Sequence, residues 1–185
     1  MTIATPGAHT ETTARRAPVG DVQRRWRGGT DATDECRPIL TPEALIAAVQ
    51  GHTGSGAPMA VLARELSGLY LRWIEAPHEA PELYEQIGDR INAIDGSVQG
   101  LLPRPRPGVT PGTDSVGGVV ARVAEAWACA HWTLHHGEDE TERHRAWDHL
   151  AEMRQGYEGL ICLVLEGRIV LPKSWRGLRR PGING

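Results

Sequence analysis

A chain of 185 residues with 40% apolar residues can build one hydrophobic core and is short for two. Its formal net charge of −3 provides no bulk attraction to nucleic acid or to an anionic membrane, so neither is expected as a partner. Because no apolar run approaches the roughly 20 residues that cross a bilayer, and the first residues lack the features of a secretory signal, the sequence predicts a cytoplasmic protein.

The ends of the chain differ in composition from its middle. Residues 1–38 are polar and show neither a strand-like nor a helical hydrophobic period, which predicts a flexible N-terminal arm. Residues 39–170 carry helical patterns and are predicted to form one bundle domain. Residues 171–185 are predicted to be an irregular C-terminal tail.

Helix-start signals define the first two predicted helices. Thr41 supplies an N-cap hydroxyl and Pro42 suits the first helical position, which predicts a short helix ending at Gln50. Pro58 opens the second helix and Pro77 ends it. The second helix has apolar residues every three or four positions, as expected of a buried face: Leu62, Leu66, Leu69 and Trp73.

A regular aliphatic stripe identifies the third predicted helix, which begins near Pro81 and closes at Gly100. Residues 101–112 contain four prolines and predict a semi-rigid crossover instead of a helix. Arg104 and Arg106 stand between those prolines. The stripe of the third helix comprises Leu83, Ile87, Ile91, Ile94 and Val98.

The fourth predicted helix begins at Thr113 or Asp114, either of which can cap it, and runs to Gly137. The acidic residues after Gly137 favour the start of another helix, because negative charge is stabilising at a helix N-terminus. The inward positions of the fourth helix are Val116, Val120, Val123, Trp127, Ala130 and Leu134.

The last predicted helix runs from about Glu138 to Gly167, with Gly156 and Gly159 as predicted points of kinking or close packing. Residues 161–165 could form a strand, but helical spacing continues through them and partner strands are missing from the sequence. Its inward positions are Trp147, Leu150, Tyr157, Leu160, Ile161 and Val164. Together the patterns predict an all-α protein, a four- to five-helix bundle with a long proline-rich crossover and irregular tails.

Short motifs follow one another along residues 61–172. They are the leucine helix at residues 66–70, Asp89-Arg90, Ile94-Asp95, Leu102-Pro103, Thr113-Asp114-Ser115-Val116-Gly117 before a helix with Arg122, Trp147 with Leu150-Ala151-Glu152, Gly156-Tyr157-Glu158, and Gly167-Arg168 before Leu171-Pro172. In these motifs the chain resembles the bacterial family catalogued as domain of unknown function 4254. It departs from the family pattern at Gly112, Asp114 and Ala121, where members tend to have His, Glu and an acid. The family name implies no particular activity.

Charged residues at the edges of apolar helix faces are the main candidates for a functional site, because a buried ionised group costs several kcal/mol unless it is paired. Asp95, Arg122 and Glu158 occupy such positions and are predicted to line an interhelix pocket. An alternative remains open, namely interhelix salt bridges with an ordinary helix cap. The predicted general acids or bases are Asp95, Asp114 and Glu158, and the predicted substrate-binding residues are Ser115, Arg122 and Tyr157, with Arg122 holding an anionic group and Ser115 at an anion-binding helix N-terminus.

Histidine and cysteine residues could also carry chemistry. His131 and His135 share a helix face, as a divalent metal requires, but a third ligand is not evident, so no metal or cofactor is predicted. His144 and His149 leave the question of a metal open. The two cysteines in predicted helices, Cys129 and Cys162, are predicted to be small buried packing residues.

Two functions remain open at this point. The first is a role in small-molecule, specialised-metabolite biosynthesis, as an enzyme with an interhelix acid and arginine pocket or as the partner subunit of an enzyme. This hypothesis depends on the family resemblance and on an arginine-rich composition typical of a high-GC genome. The second is a non-catalytic module whose arm and crossover bind a neighbour-encoded protein. In both cases a protein partner or a homo-oligomer is expected.

Overall fold

The computed structural model describes residues 39–52, 56–137 and 139–172. Within them the chain forms an all-α bundle, as predicted. The five α-helices of this part of the chain are α1 (Pro42–Val49), α2 (Pro58–Glu75), α3 (Ala80–Val98), α4 (Val116–His136) and α5 (Glu140–Leu165), with a 3-10 turn at Pro77–Glu79 before α3. Two strands of two residues each, β1 (Thr110–Pro111) and β2 (Ile169–Val170), complete the fold.

Helix α4 lies at the centre of the bundle, because it contacts each of the other four helices. Small residues make this position feasible: Ala121, Ala124, Ala126, Ala128 and Ala130 are all buried and allow neighbouring helices to approach. Larger aliphatic side chains from the surrounding helices fill the remaining space, as expected of a chain without Phe. The most deeply buried of them include Leu45, Val49, Leu66, Leu83, Ile94 and Ile161.

Side chains cap three of the described helices, and one of these caps, Thr41, was predicted from the sequence. The hydroxyl of Thr41 accepts a hydrogen bond from the Ala44 N–H at 3.2 Å and so caps α1. Helix α4 starts later than predicted, since Ser115 is its N-cap and Asp114 lies one residue before it. Asp139 caps α5 through a 2.8 Å bond from the Thr141 N–H.

Several predicted inward positions differ from the structure. Leu134 is 51% exposed and Trp147 is 38% exposed, so neither lies in the core of the described bundle. Both stand in the halves of α4 and α5 near the connection between them. Gly156 and Gly159 are not close-packing points, because an added Cβ at either would meet no atom within 4 Å.

The proline-rich crossover is tied to the chain that follows α5. Strand β1 pairs in parallel with β2, and the Gly112 N–H donates to the Val170 carbonyl at 2.7 Å. The Arg106 N–H donates to the Gly167 carbonyl at 2.9 Å. The crossover is therefore anchored at both of these points, which the sequence pattern did not predict.

Some predictions lie outside the described residues, namely the flexible arm at 1–38 and the tail beyond residue 172. None of the helices in the described segments combines the length and apolarity that a membrane span requires.

Candidate functional site

Four of the predicted site residues meet at the N-terminus of α4. A helix leaves its first N–H groups without intrahelical acceptors, and here side chains supply them. Asp114 Oδ1 accepts from the Ser115 N–H at 3.0 Å, and Ser115 Oγ accepts from the Gly118 N–H at 3.1 Å. Asp95 reaches across from α3 and accepts from the Gly117 N–H at 2.7 Å. These donors are occupied by the protein's own oxygen atoms, so an external anion would have to displace them.

Asp95 is the buried carboxylate of this group, at 8% exposure. Its Oδ1 holds Gly117, whereas its Oδ2 is buried without a hydrogen-bond partner among the described residues. Burial raises the pKa of Asp95, the negative charge of Asp114 acts in the same direction, and the Ser115 hydroxyl and the Gly117 N–H oppose the shift. The arrangement favours the protonated acid more than water would.

Gly117 permits this contact between α3 and α4. A Cβ at this position would lie 2.3 Å from the Ile91 carbonyl oxygen and 3.1 Å from Asp95 Oδ1. Any other residue would therefore push the two helices apart. The absence of a side chain at Gly117 brings its N–H within reach of Asp95.

Arg122 joins the group from the solvent side. Its guanidinium lies 3.0 Å from Asp114 Oδ2, and its side chain is 67% exposed. Arg122 was predicted to lie at the edge of an apolar helix face and to line an interhelix pocket, but its side chain faces solvent in the structure. Exposed ion pairs of this kind contribute little to stability, typically about 0–1 kcal/mol.

Glu158 and Tyr157 lie on α5, away from the polar contacts of this group. Tyr157 is 1% exposed, and its hydroxyl donates a 2.7 Å bond to the Leu40 carbonyl. Burial raises the pKa of Tyr157 far above its ordinary range, so the phenol stays protonated. Glu158 is half-buried and forms no hydrogen bond or salt bridge with any described residue. The substrate-binding role of Tyr157 and the catalytic role of Glu158 remain predictions.

A separate cavity of about 500 Å³ opens between α2, α3 and α4. Its volume falls in the range of roughly 300–1,000 Å³ that is usual for small-molecule sites. The lining residues are Tyr70, Trp73 and Ile74 from α2, Tyr84, Ile87, Gly88 and Ile91 from α3, and Glu125 and Cys129 from α4. We refer to it as the aromatic cavity.

Three rings of the aromatic cavity contact one another around Trp73. Tyr70 and Trp73 are nearly parallel, with centroids 6.4 Å apart. Tyr84 meets Trp73 edge-on at 6.2 Å. Tyr84 is 47% exposed, so the cavity is open to solvent on its side of the described bundle.

Glu125 provides the negative charge of the aromatic cavity. Burial, with a further contribution from Glu125, raises the pKa of Tyr70 to about 12. Burial and then Glu125 also raise the pKa of Cys129. Both groups therefore hold their protons at neutral pH. Cys129 is exposed at the cavity, and the prediction that it is a buried packing residue is wrong.

Four lining residues of the aromatic cavity were not predicted as site residues, namely Tyr70, Tyr84, Gly88 and Glu125. A signal was present, because the lining positions of α2 and α3 recur at helical spacing. That spacing is also the spacing of a core stripe, and Ile87 and Ile91 were assigned to one. Gly88, which has no side chain, lies among these positions, and an added Cβ there would meet no atom within 4 Å.

The histidines form ring contacts on α4. His131 and His135 stand edge-on with centroids 4.6 Å apart, and His131 stacks on Trp127 at 4.9 Å. In the described parts of the chain, no three His, Cys, Asp or Glu side chains converge in a way that could hold a metal ion.

Comparisons of the chain with protein-family models, curated proteins and solved structures found no match. The resemblance to the domain of unknown function 4254 family stays a prediction.

Proposed function

We propose that this protein binds a small organic molecule in the aromatic cavity. The observation that carries the proposal is the cavity itself, which combines about 500 Å³ of space, three aromatic rings and one carboxylate. Predominantly apolar walls with a few placed polar groups are typical of small-molecule sites. The polar groups of the lining side chains are the Glu125 carboxylate, the Tyr70 and Tyr84 hydroxyls, the Trp73 indole N–H and the Cys129 thiol.

The wider role in specialised-metabolite biosynthesis, as an enzyme or as the partner subunit of one, is the context that we propose for this binding. The raised pKa values of Tyr70 and Cys129 support hydrogen-bond donation to a ligand and disfavour a thiolate nucleophile at neutral pH. Glu125 is the lining carboxylate that could accept a proton. Acid or base roles for Asp95 and Asp114 remain part of the proposal, and would require them to leave their bonds at the N-terminus of α4.

The test is to fill the cavity without disturbing the fold. Gly88 lines the cavity, and an added Cβ there meets no atom within 4 Å, so Gly88→Leu places a side chain in the open space. We expect indole, a neutral aromatic probe, to bind the wild-type protein and to bind Gly88→Leu at least about tenfold more weakly. Titration followed by two-dimensional amide NMR measures both the affinity and the location.

The matched control is Gly156→Leu on α5, where an added Cβ also meets no atom within 4 Å. It makes the same substitution in a helix, outside the cavity lining, and should leave indole binding unchanged. The proposal is contradicted if indole does not bind the wild-type protein. It is also contradicted if Gly88→Leu and Gly156→Leu change the affinity for indole by the same factor.

A further inference from the structure

We infer that the ligand of the aromatic cavity is an organic cation, specifically one whose charged nitrogen carries alkyl groups, and that Glu125 and the rings of Tyr70, Trp73 and Tyr84 recognise the charge. This inference deepens the proposed function and rests on it.

The lining of the aromatic cavity carries a negative charge. Glu125 is the carboxylate among its lining residues, and the lining includes no Lys, Arg or His. Glu125 forms no salt bridge with any described residue. Arg122 is close enough for its charge to lower the pKa of Tyr70, but its guanidinium is engaged by Asp114 at 3.0 Å. Glu125, which is exposed to solvent, therefore has no ion-pair partner among the described residues and can accept one from a ligand.

The aromatic rings that line the cavity suit a cationic ligand. The faces of Trp and Tyr rings attract cations through their quadrupoles, and sites for alkylated ammonium groups use such rings. Two of the three rings are nearly parallel and the third is edge-on to them, so the ring planes of the lining do not all share one orientation. An alkylated ammonium is weakly hydrated and needs few hydrogen-bond acceptors, which suits a cavity with one carboxylate.

A charged ligand loses hydration when it enters the aromatic cavity. A purely apolar cavity prefers a neutral ligand over a cation of equal shape, because the cation loses hydration energy on entry. Preference for the cation would therefore reveal the combined effect of Glu125 and the rings. An anionic ligand would face the carboxylate and is disfavoured by the same charge.

The experiment compares two probes of nearly the same shape, phenyltrimethylammonium and tert-butylbenzene. We expect the wild-type protein to bind phenyltrimethylammonium at least about tenfold more tightly than tert-butylbenzene. Equal binding, or tighter binding of tert-butylbenzene, would overturn the inference and leave the proposed function intact. Failure of phenyltrimethylammonium to bind would also overturn it. The proposed function is tested separately: it fails if indole does not bind the wild-type protein.

Variants assign the preference to named groups. Glu125→Gln should weaken phenyltrimethylammonium binding by about three- to tenfold and leave tert-butylbenzene binding unchanged, because only the charge is removed. Trp73→Leu should reduce the remaining preference. The matched control is Glu152→Gln on α5, which removes an exposed carboxylate outside the cavity lining and should change neither affinity. If Glu125→Gln and Glu152→Gln weaken cation binding equally, the effect is one of net charge and the assignment to Glu125 fails.

Discussion

Asp95 shows how one carboxylate connects two helices. Its Oδ1 accepts a hydrogen bond from the Gly117 N–H at 2.7 Å. Its Oδ2 is buried and has no hydrogen-bond partner among the described residues. A buried polar atom without a partner costs about 1–3 kcal/mol. Protonation of Asp95 reduces this cost, which is the physical reason why burial raises its pKa.

The raised pKa of Asp95 predicts a specific pH dependence of stability. Folding favours the protonated acid, so the stability that protonation provides is complete below the unfolded value, near 3.8, and is lost as the pH rises through the folded pKa. Asp95→Asn resembles the protonated acid and lacks this loss. We expect the stability of Asp95→Asn relative to wild type to increase as the pH rises from about 3 to about 7.

Urea unfolding of both proteins across that pH range measures the effect, and the change with pH is the readout because the substitution also has a constant cost. Gly156→Ala, which changes no titrating group, should show a constant difference from wild type. A constant or falling difference for Asp95→Asn would contradict the assignment of Asp95.

At the scale of the element, the first turn of α4 depends on where glycine stands. Gly117 lies against the backbone of α3, whereas Gly118 lies against the side chain of Asp114, with an added Cβ only 2.0 Å from Asp114 Oδ1. A side chain can rotate away at a modest cost, but the backbone of a packed helix cannot. The two adjacent glycines therefore have different roles, and Gly117 sets the distance between α3 and α4.

Substitution of Gly117 should therefore be far more harmful than substitution of a helix glycine in open space. We expect Gly117→Ala to lower the free energy of unfolding by about 2 kcal/mol or more, because the Cβ would lie 2.3 Å from the Ile91 carbonyl oxygen. Gly156→Ala should raise it by about 0.5–1 kcal/mol, since alanine favours the helix and meets no atom. Denaturant unfolding tests both, and a tolerated Gly117→Ala would show that α3 and α4 are free to separate.

At the scale of the whole molecule, the crossover and the end of α5 hold each other in place. Gly167 follows α5 with φ +65, and an added Cβ would lie 3.1 Å from the Arg104 carbonyl oxygen. The carbonyl of Gly167 accepts from the Arg106 N–H at 2.9 Å. This link joins the chain after the third helix to the chain after the last.

Gly167→Ala should loosen this link. A left-handed conformation costs an alanine roughly 1–2 kcal/mol, so the amide of Arg106 and that of Gly112 should exchange with solvent at least about fivefold faster. Gly51→Ala is the matched control, because Gly51 also has a positive φ, +82, but no atom lies within 4 Å of its added Cβ. Hydrogen exchange measured by NMR reports both amides. Unchanged exchange in Gly167→Ala would show that the crossover is held by other contacts.

The sequence was sufficient to predict the helices because their signals are local. Thr41 caps α1 and the apolar stripe from Leu83 to Val98 belongs to α3. Each signal lies within a single helix, so a short stretch of sequence is enough to predict that helix. The same locality explains the errors. Leu134 and Trp147 have the spacing of core residues, but spacing does not reveal which positions the neighbouring helices leave exposed.

The sequence alone determined which segments become helices, where most of them start, and that a proline-rich segment separates the third from the fourth. Only the tertiary structure decided which side chains meet. In the folded protein, Arg122 faces solvent and Asp95 accepts a hydrogen bond at the N-terminus of α4. Open space remains beside Gly88, among the rings of α2 and α3. The physical reason is that a helix forms through bonds between residues four apart, whereas a cavity depends on how distant helices approach one another.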